Sequence, residues 1–461
     1  MMFLRSLSMA LAALTFGALT FGALTAAAQD QQDYHTGLIP QPRILVPNNG
    51  SDLEGIVFLI SGSRGWGAPE DAEAQKLLAA GAAVVGIDFP SYVKSLNADD
   101  GECIYMVSDI EDVSQQVQRR IGNPQYRHPI VAGIGEGGAL ALAMISQSPA
   151  ATIEEAIAVD PLAGIPLAKE LCTPASKQKA GDRTIYGFDD GALPAAVAIV
   201  STPSADAGGK AHGQRLKQDH PEVELINSGE TPDVALSQVL ATRIAAAGRI
   251  NQPLDLPLTI LQAKPAMNTM AVIFSGDGGW RDLDSEVGGY LQSQGIPTVG
   301  LDSLRYFWSE RTPQATADDL SKIIEHYRRQ WGVQNVLLIG YSFGADVLPA
   351  TYNSLPAADR ARVKQITLLG LSRDVDYEIS VTGWLGVAGA GKGGDTMKDV
   401  VKIDPKILQC VYGTDEDDDP CPTLKDKGVE VVPIEGGHHF DENYQALGKR
   451  IRDSLQTRLS K

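Results

Sequence analysis

One feature limits the possible folds more than any other: the chain says nearly the same thing twice. "GIVFLISGSRGWGAPE", from Gly55, parallels "MAVIFSGDGGWRDLDS", from Met270. Further along, "IVAGIGEGGALALA", from Ile130, parallels "VLLIGYSFGADVLPA", which contains Ser342. Near each end "VELINSGETPD" answers "VVPIEGGHHFD". Repeats of 20–50 residues build solenoids, whereas a period of roughly 210 residues means two whole domains of one fold. A chain of 461 residues divides naturally that way. The joint falls in "AAAGRINQPLDLP", Ala245 to Pro257, where a helical pattern gives way to prolines.

Within the second copy, short apolar runs alternate with helical patterns. "LTILQA", "AVIFS", "TVGLD", "NVLLIG", "QITLLG", "ILQCVYG" and "EVVPI" read as strands, and 313–331, 342–354 and 441–459 read as helices. Buried runs separated by helices predict an α/β fold, a mostly parallel sheet covered on both faces. The Gly-rich "VTGWLGVAGAGKGGD", 381–395, is the one long irregular insertion; it reads as a border of the active cleft or as a surface loop.

Ser342 sits in Gly340-Tyr341-Ser342-Phe343-Gly344, the pattern G-x-S-x-G between a strand and a helix. Glycines on both sides permit the tight strand-to-helix turn that exposes a nucleophilic serine at the carboxyl edge of a sheet. A helix-capping serine is the plainer alternative. A serine of this kind needs a base and an orienting acid further along. "IEGGHHFDENY" supplies His438, with His439 as second choice. "CVYGTDEDDDPC" supplies Glu416, with Asp415 and Asp417 as alternatives in an acidic run that also reads as a solvated turn. The oxyanion hole is expected from the backbone N–H groups of Phe343 and Asp277, the latter in "FSGDGGW". Asp302 and Arg305 end the next strand at the same edge and, with Trp308, are expected at the substrate. Tyr306, Phe307 and Trp308 have a second reading as buried core.

The first copy lacks this equipment. Gly135 replaces Ser342, Glu230 falls opposite His438 and Thr231 opposite His439. It is expected to be a degenerate domain that serves docking, covers the site or adds stability.

Arg5 is the one charge in residues 1–28; an apolar run and Ala26-x-Ala28 follow, the order of a secretory signal cleaved before Gln29. The run approaches the roughly 18 residues of a membrane span, so an uncleaved anchor is the alternative. The expected division is therefore signal 1–28, degenerate domain 29–250 and catalytic domain 251–461. Export suits the four cysteines: Cys103 and Cys172 in one half and Cys410 and Cys421 in the other predict one disulfide each. Zinc is disfavoured by the lack of a Cys-x-x-Cys pair and by only seven histidines, and neither a metal nor any other cofactor is expected. A net charge of −18 argues against nucleic acid and anionic bilayers as nonspecific partners.

Taken together, "FSGDGGW", "LDSLRYFWSERTP", "GYSFGADVLP" and "GGHHFDENY" resemble the VirJ/AcvB family of bacterial virulence proteins. The likeness runs through the second half, and the two-domain layout behind a signal resembles the longer AcvB form. It implies a periplasmic α/β-hydrolase that releases the amino acid from aminoacyl-phosphatidylglycerol, the lysyl form in particular and alanyl as a further substrate, so its partner is a membrane lipid headgroup. The family's serine and histidine fall on Ser342 and the His438/His439 pair. A generic periplasmic esterase and a non-catalytic adaptor for secretion proteins, binding partners through the first domain, are the alternatives.

Overall fold

A computed structural model describes residues 34–47, 52–247, 253–380 and 392–460. The signal, most of the Gly-rich insertion and the middle of the joint lie outside the described residues.

Two seven-stranded sheets follow one another along the chain. The first uses β1 (Arg43–Leu45), β2 (Gly55–Ile60), β3 (Ala82–Ile87), β4 (Ile130–Ile134), β5 (Glu155–Val159), β6 (Ala196–Ser201) and β7 (Glu224–Asn227). Its order is β1-β3-β2-β4-β5-β6-β7. The second uses β8 (Leu258–Leu261), β9 (Thr269–Phe274), β10 (Thr298–Leu301), β11 (Asn335–Tyr341), β12 (Val363–Leu369), β13 (Leu408–Gly413) and β14 (Glu430–Ile434). It repeats the order as β8-β10-β9-β11-β12-β13-β14. In each sheet only the first strand is antiparallel to its neighbour. The central strands are apolar along their whole length because helices cover both faces; Ala271 and Ile273 pack into one core layer while Val272 and Phe274 pack into the other. The result is two tandem α/β-hydrolase-like domains.

The repeat extends to the hydrogen bonds. Ser61 Oγ accepts from the Phe89 N–H in the first domain, as Ser275 Oγ accepts from the Ser303 N–H in the second. Asp88 and Asp302 each cap the short helix after β3 or β10. Disulfides join Cys103 to Cys172 and Cys410 to Cys421.

The domains pack through buried side chains. Trp308 is fully buried, its Nε1–H donates to the Asn123 carbonyl at 2.8 Å, and the Arg119 guanidinium lies 3.8 Å from its ring centroid. Tyr126 stacks on the same indole at 4.9 Å and belongs to the core of the second domain.

Candidate active site

Ser342 follows β11 directly and precedes the helix Phe343–Ser354, with φ 51° and ψ −121°. A non-glycine residue is strained in that region, and such strain is held only where the surroundings over-determine it. Here the flanking glycines allow the approach. A Cβ on Gly344 would lie 2.2 Å from the Phe274 carbonyl oxygen, and one on Gly340 would lie 2.4 Å from the Gly344 oxygen. The Ser342 N–H donates to the Leu369 carbonyl at 2.9 Å, fixing the turn against β12.

The loop after β14 brings His438 to this turn. His438 Nε2 lies 2.8 Å from Ser342 Oγ, and Nδ1 lies 3.1 and 3.2 Å from the two Glu416 carboxylate oxygens. With the Nδ1 proton donated to Glu416, Nε2 is free to accept the serine proton. Of the acids in the run after β13, Glu416 alone makes this bond among the described residues, while Asp415 and Asp417 are exposed. The Asp415 N–H donates to the Gly436 carbonyl at 2.9 Å, tying the acid loop to the histidine loop. The Cys410–Cys421 bridge closes the loop that carries Glu416. His439 lines the same cleft, but its Nδ1 lies 3.2 Å from the Tyr341 hydroxyl.

An open cleft of about 340 Å³ lies beside the serine, lined by Gly276 to Gly279, Arg281, Asp282, Asp284, Tyr341, Ser342, His438 and His439. A Cβ on Gly276 would stand 3.7 Å from Ser342 Cβ, so the backbone of the loop after β9, with Asp277 next in sequence, runs alongside the serine. Phe343 begins the helix behind it, and its ring packs on Phe307 at 5.1 Å.

Three expected substrate contacts are not at this cleft. Asp302 is buried behind the loop, where its Oδ1 accepts from the Arg305 N–H at 3.1 Å. Arg305 lines a separate cleft between the domains with Tyr126, His128 and Asp255. Trp308 is the interdomain residue described above. The helix after β10 turns this segment away from Ser342 and into the first domain, so its aromatic residues follow the core reading. Conversely, Tyr341, Gly370 and Arg281 stand at the site without having been singled out in the sequence. The available signal was the glycine ending "QITLLG", where the first copy has "EAIAVD" with Asp160.

The first domain keeps the turn and fills the site. Gly135 holds φ 59° and ψ −111°, nearly the backbone of Ser342. Glu136 pairs with the Arg183 guanidinium, and Asp160 accepts from the Thr202 N–H and hydroxyl at 2.7 and 2.5 Å. One sequence pairing is corrected. Val200 aligns with Ile226, and Val411 with Val432, so Ile226 corresponds to Val432 rather than Ile434. Only Ser228–Thr231 then separate β7 from its helix, whereas residues 435–443 follow β14. Glu230 is therefore no counterpart of His438; the loop that would carry the base is shortened away.

Among the described residues, no three His, Cys, Asp or Glu side chains converge as a metal site, and no helix is long and apolar enough to cross a membrane. The two disulfides fit an exported protein.

The second domain is thus an α/β-hydrolase-like domain with a serine, a histidine and a glutamate in one hydrogen-bonded row. Residues 268–459 match the family described as "Bacterial virulence protein (VirJ)". Similar solved structures include Est1E from Butyrivibrio proteoclasticus, 13% identical over 44% of this chain and 93% of that one, TM-score 0.32. A proline iminopeptidase from Mycobacterium smegmatis is 10% identical over 44% and 95%, TM-score 0.32. The Francisella virulence factor BioJ is 14% identical over 44% and 80%, TM-score 0.31. No curated protein sequence matches the chain.

Proposed function

We propose that the second domain is a serine ester hydrolase that cleaves the aminoacyl ester of aminoacyl-phosphatidylglycerol in the periplasm. The row Ser342–His438–Glu416 carries this reading. Ser342 Oγ attacks the ester carbonyl as His438 Nε2 takes its proton, and Glu416 stabilises the imidazolium. The tetrahedral oxyanion is held by the N–H groups of Phe343 and Asp277. Collapse breaks the ester C–O bond, and phosphatidylglycerol leaves with the proton from His438. Water, deprotonated by the same imidazole, then attacks the acyl-enzyme and frees the amino acid and the serine.

The aminoacyl substrate is supported by the VirJ likeness of residues 268–459 and by the carboxylates of Asp277 and Asp282 around the cleft, which suit an ammonium-bearing acyl group. Its hydrolysis restores negative charge to the membrane surface. In this reading residues 1–28 are the removed signal, 29–250 a non-catalytic domain and 251–461 the catalytic one.

The test is a membrane lipid profile of cells carrying wild type or Ser342→Ala, with release of lysine or alanine from labelled lipid measured beside hydrolysis of a short chromogenic ester. Aminoacyl-phosphatidylglycerol persisting only in the variant supports the proposal. Turnover of the chromogenic ester without lipid turnover points to a generic esterase, and an unchanged phenotype in the variant points to an adaptor.

A further inference from the structure

The loop from Gly276 to Gly279 forms one wall of the serine cleft, and two groups hold it. The Gly276 N–H donates to Asp284 Oδ2 at 3.3 Å from within the same domain. On the other side the Arg281 guanidinium lies against Gly278: a Cβ there would stand 2.4 Å from Nη2 and 2.6 Å from Nε. What orients that guanidinium comes from the first domain. Arg281 Nη1 donates to both Glu111 carboxylate oxygens, at 3.1 and 3.0 Å, and to Thr152 Oγ1 at 3.1 Å. Glu111 lies on the helix Val107–Arg120 and is 4% exposed.

We propose that Glu111 is a positioning residue for the second domain's active site, holding Arg281 against Gly278 and through it the oxyanion loop beside Ser342. The inference rests on the hydrolase reading above, and it gives the degenerate domain a chemical role without chemistry of its own. A charged acceptor buried at the domain boundary fixes a guanidinium more firmly than a neutral one because charge-assisted bonds are shorter and stronger. Without Glu111, Asp282, whose Oδ2 lies 4.0 Å from Arg281 Nε on the solvent side, competes for the guanidinium. A shift toward Asp282 draws the guanidinium off Gly278 and loosens the loop whose N–H groups must meet the oxyanion. A misplacement of about 1 Å at such a site costs on the order of 10²-fold in rate.

The experiment follows labelling of Ser342 by a fluorophosphonate probe in the full-length chain, with Ser342→Ala as the blank. Phosphonylation draws on the same oxyanion hole, its rate reports site geometry and its end point counts folded sites. Glu111→Gln is expected to slow labelling by about 10- to 100-fold with the end point unchanged. Glu111→Asp, which keeps the charge on a shorter stem, recovers part of the rate. Thr152→Val removes the same nitrogen's neutral partner without leaving a buried charge unpaired, and slows labelling about 2- to 5-fold. Should Glu111→Gln fold poorly, Glu111→Asp and Thr152→Val decide the matter. Wild-type rates in every variant that folds overturn the inference while leaving the hydrolase reading intact. A wild-type chain that takes no label at Ser342 overturns both.

Discussion

Gly370 and His438 meet so closely that a side chain at the glycine would press on the imidazole: a Cβ there would lie 3.0 Å from His438 Cε1. Gly370 also has φ 61°, where an L side chain is strained. In the first domain the same position, following β5 instead of β12, is Asp160, whose carboxylate is turned onto Thr202. The glycine at the end of β12 is what keeps the imidazole's seat empty of other groups. Gly370→Ala is therefore expected to push the ring off Ser342 and lower kcat by about 10²-fold, with KM changed much less. Steady-state kinetics beside a thermal melt separates this from simple destabilisation, since the backbone strain itself costs about 1–2 kcal/mol.

Removing the row directly has larger effects. Ser342→Ala and His438→Ala should each reduce kcat by about 10⁴- to 10⁶-fold, and Glu416→Gln by about 10²- to 10⁴-fold, because the three act as a unit. Combining Ser342→Ala with His438→Ala should add almost nothing. Equal activity of Asp415→Asn and wild type in the same assay checks that Glu416 is the acid.

The two disulfides should differ in what they protect. Replacing Cys410 and Cys421 by Ser frees a short loop, costing about 3 kcal/mol, and because that loop carries Glu416 the rate per folded molecule should also fall. Replacing Cys103 and Cys172 opens a loop of 69 residues and costs about 4 kcal/mol, and it should lower the rate per folded molecule less, since Glu111 within that loop is held by its own helix. Denaturant midpoints and fluorophosphonate-titrated kcat values measure the two quantities apart.

Trp308 is an interdomain anchor rather than a substrate contact. Trp308→Ala should destabilise the chain by about 3–5 kcal/mol through lost packing against Tyr126 and Arg119. KM for the remaining folded enzyme should stay near the wild-type value. A several-fold rise in KM at full thermal stability would contradict this placement.

Asp419 makes stability depend on pH. Burial pushes its carboxyl up to about 6, the Glu416 charge adds to the rise and His438 opposes it, while its Oδ1 accepts from the Cys421 N–H. The folded value lies above the ordinary one, so its contribution is fully present below about pH 4 and is lost as pH rises through about 6. Asp419→Asn should therefore gain about 1–2 kcal/mol over wild type at pH 7.5 and nothing at pH 4. Asp109 in the first domain is also pushed to about 6 by burial, so the comparison is made between the two proteins at each pH. Parallel stability profiles for wild type and variant would remove Asp419 as the cause.

Much of the site could be read from the sequence because its parts are local. The strand before Ser342, the two glycines around it and the helix after it all lie within one short stretch, and all seven runs expected to be strands of the second sheet are strands. Glu416 and His438 follow β13 and β14 on loops whose position depends only on strand order. The expected contacts of Asp302, Arg305 and Trp308 did not follow, since which way a short helix turns is set by what it packs against. The pairing of Glu230 with His438 failed for a related reason: similar letters cannot reveal that a strand register is shifted and a loop cut short.

By itself the sequence determined that one fold occurs twice, that one copy holds a serine elbow and the other a glycine, and which loops offer a base and an acid. Those properties reside in apolar periodicity and in residues a few positions apart. Only the tertiary structure decided that Glu416 faces His438, that Asp160 stands where Gly370 leaves space, and that Glu111 of one domain reaches Arg281 of the other. Each of these is a contact between side chains brought together by packing, and packing depends on shape and burial that no single stretch of the chain contains.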